Sequence, residues 1–153
     1  MSEVKTIPCK VITPDGVLVD EPVSHAQIPA HDGLFGVLPH RAPIVAKLGL
    51  GQLRVDLPGK GSRLFLVEDG FAQVSESGVR VLATSAAEDT ELDEADAKAE
   101  LAEAEARTVP HDHPDPAGEQ ARINRQRDRA QLALRMIKHR NERMAGTLPQ
   151  RPA

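Results

Sequence analysis

Tryptophan and tyrosine are absent from the 153 residues, and Phe35, Phe65 and Phe71 are the only large rings. So few aromatic faces disfavour base stacking as a binding mode. The core must be built from Val, Leu, Ile and Ala. Cysteine is nearly missing as well. Cys9 stands alone in an apolar run, so no internal disulfide is possible and the residue reads as a buried, inert thiol. No apolar run approaches the length of a membrane span, and Met1 to Cys9 lack the apolar centre of a secretory signal. A reducing, aqueous compartment is expected, with any membrane met through a partner. The formal net charge of -4 argues against a dedicated nucleic-acid binder.

What is present divides in two. Residues 4–87 read as short strands separated by turns. Ile7, Cys9 and Val11 keep a two-residue period, and Thr13-Pro14-Asp15-Gly16 is turn chemistry. Val17-Leu18-Val19 and Val23 to Ala30 follow as strands. Leu53 to Leu57 alternates apolar with charged, predicting one buried and one wet face. Leu64 to Val67 is a short apolar strand. Asp69-Gly70 reads as a turn, from which Phe71 to Val74 returns, and Val79 to Ala83 is the last strand. Turns this frequent leave no room for crossover helices, which predicts an antiparallel sandwich or barrel. A unit of roughly 85 residues buries about 60 % of its unfolded surface, enough to fold alone but only modestly well.

From Glu88 to Arg107 the chain has no Gly or Pro and many Ala, predicting a helix. Thr90 is placed to cap it, with Asp93 as the capping-box acid. Leu92, Ala95, Ala99, Ala102, Ala106 and Val109 form a narrow apolar stripe. Residues 108–118 break the helix. A second helix is predicted from about Glu119 to Met144, with Ile123, Ala130, Leu134, Ile137 and Met144 on one face. The first helix is acidic. The second is basic, with Arg122, Arg125, Arg127, Arg129, Arg135, Lys138, Arg140 and Arg143. Opposite charges suit an antiparallel hairpin, but exposed pairs contribute only roughly 0.2–1 kcal/mol each, so the hairpin could open. The expected division is a β-domain over 1–87, a hairpin over 88–145 and a disordered tail over 146–153.

Candidate chemistry is sparse. His111-Asp112-His113 holds ligand-type side chains, but in a proline-rich segment without a fourth ligand nearby it reads as a solvated linker. Gly33 and Gly36 do not make a phosphate loop, because no Gly-Lys-Ser follows. No Ser, Cys or His has an evident activating partner. No metal, no cofactor and no catalysis by the chain alone are expected.

The segment Gly33-Leu34-Phe35-Gly36-Val37-Leu38-Pro39-His40-Arg41-Ala42-Pro43 pairs two glycines with two prolines. Gly33 and Gly36 are free to take angles a Cβ forbids, and the prolines exclude a helix or a central strand throughout. It resembles the G-x-x-G-[VI]-[LY]-P-x-H-A-P segment of the epsilon subunit of F-type ATP synthases. Further matches follow in order: Leu48-Gly49-Leu50-Gly51, Leu66 to Val74, Val79 to Ala83, and Arg129 to Leu134. The resemblance spans nearly the whole chain. It implies an N-terminal β-sandwich and a C-terminal two-helix hairpin. It implies a non-catalytic subunit of the central stalk, coupling proton flow to ATP synthesis at the cytoplasmic face of a bacterial inner membrane. It implies contact of Gly33, Leu34, Gly36, Pro39, His40, Arg41 and Pro43 with the gamma subunit and the ring of c subunits. An extended hairpin would carry Arg122, Arg125, Arg129, Arg135 and Lys138 to the catalytic beta subunits and brake hydrolysis. Arg41 replaces the family histidine, Leu34 an often polar residue, and Asp69 a glycine. Some members bind ATP through [IL]-D-x-x-R-A. Here Leu92 and Asp93 are kept but Asp96 replaces the arginine, and Met136 replaces a second one between Arg129 and Arg140. Weak or absent ATP binding is therefore expected. The alternative of another class is a sandwich adaptor whose basic helix binds an acidic partner, nucleic acid included.

Overall fold

A computed structural model describes residues 3–40 and 42–146; the rest of the expected tail, and Arg41, lie outside the described residues. The chain divides into two compact units, the first ending at Glu88 and the second beginning at Asp89.

Among the described residues the first unit holds eight strands: β1 (Ile7–Thr13), β2 (Gly16–Val23), β3 (His25–Ala30), β4 (Gly33–Val37), β5 (Ile44–Lys47), β6 (Gly51–Leu57), β7 (Gly61–Ser75) and β8 (Gly78–Glu88). Their order is β2-β1-β8-β7-β6-β3-β4, with β5 pairing β7. The strand folds around one core in which Val11, Ile28, Leu53, Phe65, Val67 and Val81 are shut from solvent. Each such side chain contributes about 1.5–3 kcal/mol on burial, and aliphatic packing takes the place of the missing aromatics. Cys9 lies in this core, and burial pushes its thiol pKa up to about 12. The sandwich expected from the turns is present, with one ladder of unexpected sense. β1 and β8, the first and last strands of the unit, lie side by side and run parallel.

Asp69-Gly70 is not a turn, and Phe71 does not begin a returning strand. β7 runs unbroken through both residues, pairing β6 over Gly61–Val67 and β5 over Phe71–Val74. One strand therefore serves both layers. Glu68 faces Ser85 and Gly70 faces Ala83, so the register to β8 passes through Asp69 without a shift and the strand bends with no residue inserted. Asp69 has φ 54° and Gly70 φ 115°. A left-handed bend within a strand and a hairpin turn ask for the same residues, which is why the sequence pattern fits both. β8 likewise runs past Ala83 to Glu88. Arg63 holds that end with two hydrogen bonds to the Glu88 carboxylate, of 2.8 and 2.9 Å, and a third, of 3.1 Å, to the Leu18 carbonyl.

The second unit opens with a 3-10 turn, Asp89–Glu91, followed by α1 (Glu94–Ala106) and α2 (Pro116–Met144). Thr90 does not cap α1; Asp93 does, its Oδ1 accepting from the Asp96 amide at 2.9 Å. Asp115 caps α2 by accepting from the Gly118 amide at 3.0 Å, and Pro116 occupies the first turn, where its missing N–H costs nothing. The helices lie antiparallel, with Glu100 beside Arg129 and Arg107 beside Glu119. The alanine stripe expected to pack is on the wrong face: Ala95, Ala99, Ala102 and Ala106 are exposed, and Ala97 and Ala104 are buried. On α2, Met136 is buried with Ile123, Ala130, Ala133 and Ile137, and Met144 is 81 % exposed rather than packed.

Candidate interaction surfaces

β4 is an edge strand paired only with β3, so the Gly33–Val37 half of the loop-like motif is extended. Gly33 enters it with φ 139°, after the His31-Asp32 turn. Gly36 uses no unusual angle. It leaves room instead: a Cβ there would lie 3.1 Å from Nε2 of His25. Pro39 and His40 make the exit turn, His40 with φ 69°. Val37 is buried, but Leu34 is 62 % exposed. Leu34 and Phe35 of β4 line an open groove with Ile44 and Val45 of β5, its border shared by His31, Asp32 and Lys47.

Beneath β4 sits a polar cluster. Asp56 of β6, expected on the wet face, is buried. Its Oδ1 accepts from Ser62 Oγ at 2.6 Å and Arg54 Nε at 2.8 Å, and its Oδ2 lies 3.4 Å from His25 Nδ1. Burial alone would raise its pKa, but the Ser62 and Arg54 hydrogen bonds and the nearby cationic charge outweigh it and hold the carboxyl below its ordinary value. A lowered native pKa gives stability that is fully present above the ordinary aspartate pKa and is lost as pH falls through the native value. Asp56→Asn is expected to cost about 1–3 kcal/mol in urea unfolding at neutral pH. That gap should close in acid; a gap independent of pH would refute the charged role.

On the outer face of the layer formed by β2, β1, β8, β7 and β5, the register lines up Val17, Ile12, Leu82, Phe71 and Lys47 as neighbours across five strands. Phe71 is 57 % exposed and Leu82 48 %. This is a solvent-facing apolar row on a small unit, of the kind that marks an interaction site.

In the hairpin, most expected cations already have partners. Arg122 and Arg107 both bond Glu119, whose pKa the Arg122 hydrogen bond first of all holds low. Arg129 bonds Glu100 at 2.7 Å. Arg140 donates to the carbonyls of Asp89 and Leu92, and Arg143 bonds the Asp89 carboxylate, which is 4 % exposed. Arg135 and Lys138 are exposed and have no ion-pair partner among the described residues.

The family model for the β-sandwich domain of the ATP synthase delta/epsilon chain matches residues 6–89. The chain belongs to that family. It is similar to the ATP synthase epsilon chain of Nitratidesulfovibrio vulgaris strain DP4, 40 % identical over 93 residues, covering 60 % of this chain and 69 % of that one. The epsilon chain of Solibacter usitatus is 43 % identical over 96 residues, covering 63 % and 71 %. Among solved structures, a chain of the Euglena gracilis mitochondrial ATP synthase (OSCP/F1/c-ring) aligns with TM-score 0.63 at 22 % identity, covering 94 % of this chain and 84 % of that chain. A chain from the Tetrahymena thermophila mitochondrial central stalk and c-ring aligns with TM-score 0.59 at 10 % identity, covering 89 % and 99 %. At such identities these two structures show the common fold.

Of the residues the resemblance singled out, the structure brings Gly33, Leu34 and Gly36 together on one edge strand, with Pro39 and His40 in the turn after it and Pro43 just before β5. Asp93 is occupied as a helix cap, and Met136 belongs to the helical core. Asp56 and Asp89 were missed by sequence reasoning. Asp89 had a faint signal, an acid at the strand-to-helix junction. Asp56 had none, since alternation placed it in water. No helix among the described residues is long and apolar enough to cross a membrane.

Proposed function

We propose that the chain is the epsilon-type accessory subunit of a bacterial rotary ATP synthase, without catalysis of its own, turning with the central stalk and bound peripherally at the cytoplasmic face of the inner membrane. The apolar row of Val17, Ile12, Leu82 and Phe71, exposed at all but the half-buried Ile12, on a sandwich of this family carries the reading. It is the docking face for the gamma subunit, and the Leu34 edge with the Pro39–Pro43 exit is directed to the c ring. Arg135 and Lys138 are available to the beta subunits as the closed hairpin stands. Arg129 becomes so only when its bond to Glu100 of α1 opens, as extension of the hairpin would open it, whereas Arg122 is paired to Glu119 within α2 itself. Arg129 and Arg140 are engaged within the hairpin and Asp96 adds an anion, which disfavours nucleotide. One experiment tests these points: the full chain on a biosensor surface, exposed in turn to purified gamma subunit and to ATP. Saturable gamma binding, weakened about tenfold or more by Leu82→Asp, and no response to micromolar ATP are expected. A chain that ignores gamma sinks the docking reading, and saturation by micromolar ATP sinks the nucleotide clause.

A further inference from the structure

The parallel ladder does more than close the sheet. It sets Lys10 of β1 directly beside Arg80 of β8 on the outer face. Like charges in direct cross-strand register repel. Arg80 is exposed and has no ion-pair partner among the described residues, and Lys10 reaches only Asp20, at 3.9 Å, with both side chains in solvent. The Lys10–Arg80 row adjoins the apolar row by one strand step on its one side. On its other side the sheet is hollow. Gly78 lines the hollow with φ 130° and packs tightly on Pro8, whose carbonyl oxygen a Cβ would strike at 2.4 Å. The cleft, of about 250 Å³, is bordered by Lys10, Arg80, Gln73, Ser75 and Ser77, with the carboxylate of Asp20 at the Lys10 end. The Ser75 and Ser77 hydroxyls are 2.7 Å apart at its rim and offer a further donor.

We propose that this cleft is a receptor for a carboxylate side chain of the subunit that covers the apolar row, with Lys10 and Arg80 as its cationic jaws. The inference rests on the docking reading and adds the chemistry of the contact: an acidic residue of the partner, seated beside an apolar patch. A carboxylate between the two cations turns their mutual repulsion into two attractive pairs, and exclusion of water by the neighbouring apolar contact strengthens both. Arg80 is suited to a two-pronged hydrogen bond with the carboxylate, and Lys10 to a point-charge contact.

The test uses the full chain and the purified gamma subunit. Lys10→Glu with Arg80→Glu is expected to weaken binding by about tenfold or more, chiefly by a faster off-rate. Lys10→Gln with Arg80→Gln should bind more weakly and with a flatter dependence on salt between about 0.05 and about 0.5 M than the unmodified chain. Both positions face solvent, and circular dichroism checks that the variants keep their fold. If Leu82→Asp abolishes binding while the charge reversal leaves it untouched and the salt dependence unchanged, the receptor is overturned and the docking face stands. If neither variant changes binding, both fall.

Discussion

Asp89→Asn is expected to loosen the helical hairpin and leave the sandwich intact. The Asp89 carboxylate is buried and takes a hydrogen bond from Arg143, while its carbonyl and that of Leu92 take two from Arg140. These bonds join the last turns of α2 to the root of the hairpin. Removing one partner of a fully buried ion pair costs roughly 3–5 kcal/mol; with the Arg143 side chain 31 % exposed, about 2 kcal/mol is a fairer figure. In hydrogen exchange, that corresponds to about 30-fold faster opening of the α1 amides. Arg135→Gln, at an exposed position, should change them by less than about 0.5 kcal/mol. Equal protection in Asp89→Asn and the unmodified chain would show that the helices hold each other without this clamp.

Gly70→Ala should be the most damaging single methyl in the sandwich. A Cβ there would lie 1.9 Å from the Leu82 carbonyl oxygen, and the φ of 115° is one that side chains avoid. Left-handed strain of about 1–2 kcal/mol adds to an overpacking cost of about 1–3 kcal/mol, and the obstacle is backbone that cannot swing aside. Thermal or urea unfolding should register a loss of about 3 kcal/mol or more. Gly59→Ala, with φ 73° and open space around it, isolates the conformational part and should cost about 1–2 kcal/mol. A Gly70→Ala protein no less stable than Gly59→Ala would mean that this bend in β7 relaxes freely.

These two sites show how far sequence patterns reach. Alternation over Ile7–Val11 and alanine enrichment after Glu88 are local signals, and they locate a β-unit and a helical unit. Asp69-Gly70 is ambiguous locally, since the demand for left-handed angles does not say whether the chain reverses or continues. The face of α1 is ambiguous for another reason. Alanine at almost every apolar position gives no preference, and the choice passes to its partner, where Glu100 meets Arg129 and Ala97 and Ala104 are buried. Asp56 reads as a solvated residue until Ser62, Arg54 and His25 converge on it. The interaction surfaces divide in the same way. Gly33 to Pro43 is contiguous and legible as a motif. Lys10 with Arg80, and Asp89 with Arg143, come from distant parts of the chain and exist only once the fold brings them together.

The strand β7 has a mechanical meaning for a body that turns on a shaft. Two layers joined only by interlocked side chains would shear under a sideways pull at the rate those contacts slip. Here a single peptide backbone is stitched by hydrogen bonds to β6 in one layer and to β5 in the other. A pull on either layer is carried along covalent bonds to its opposite, and the pair should yield together or not at all.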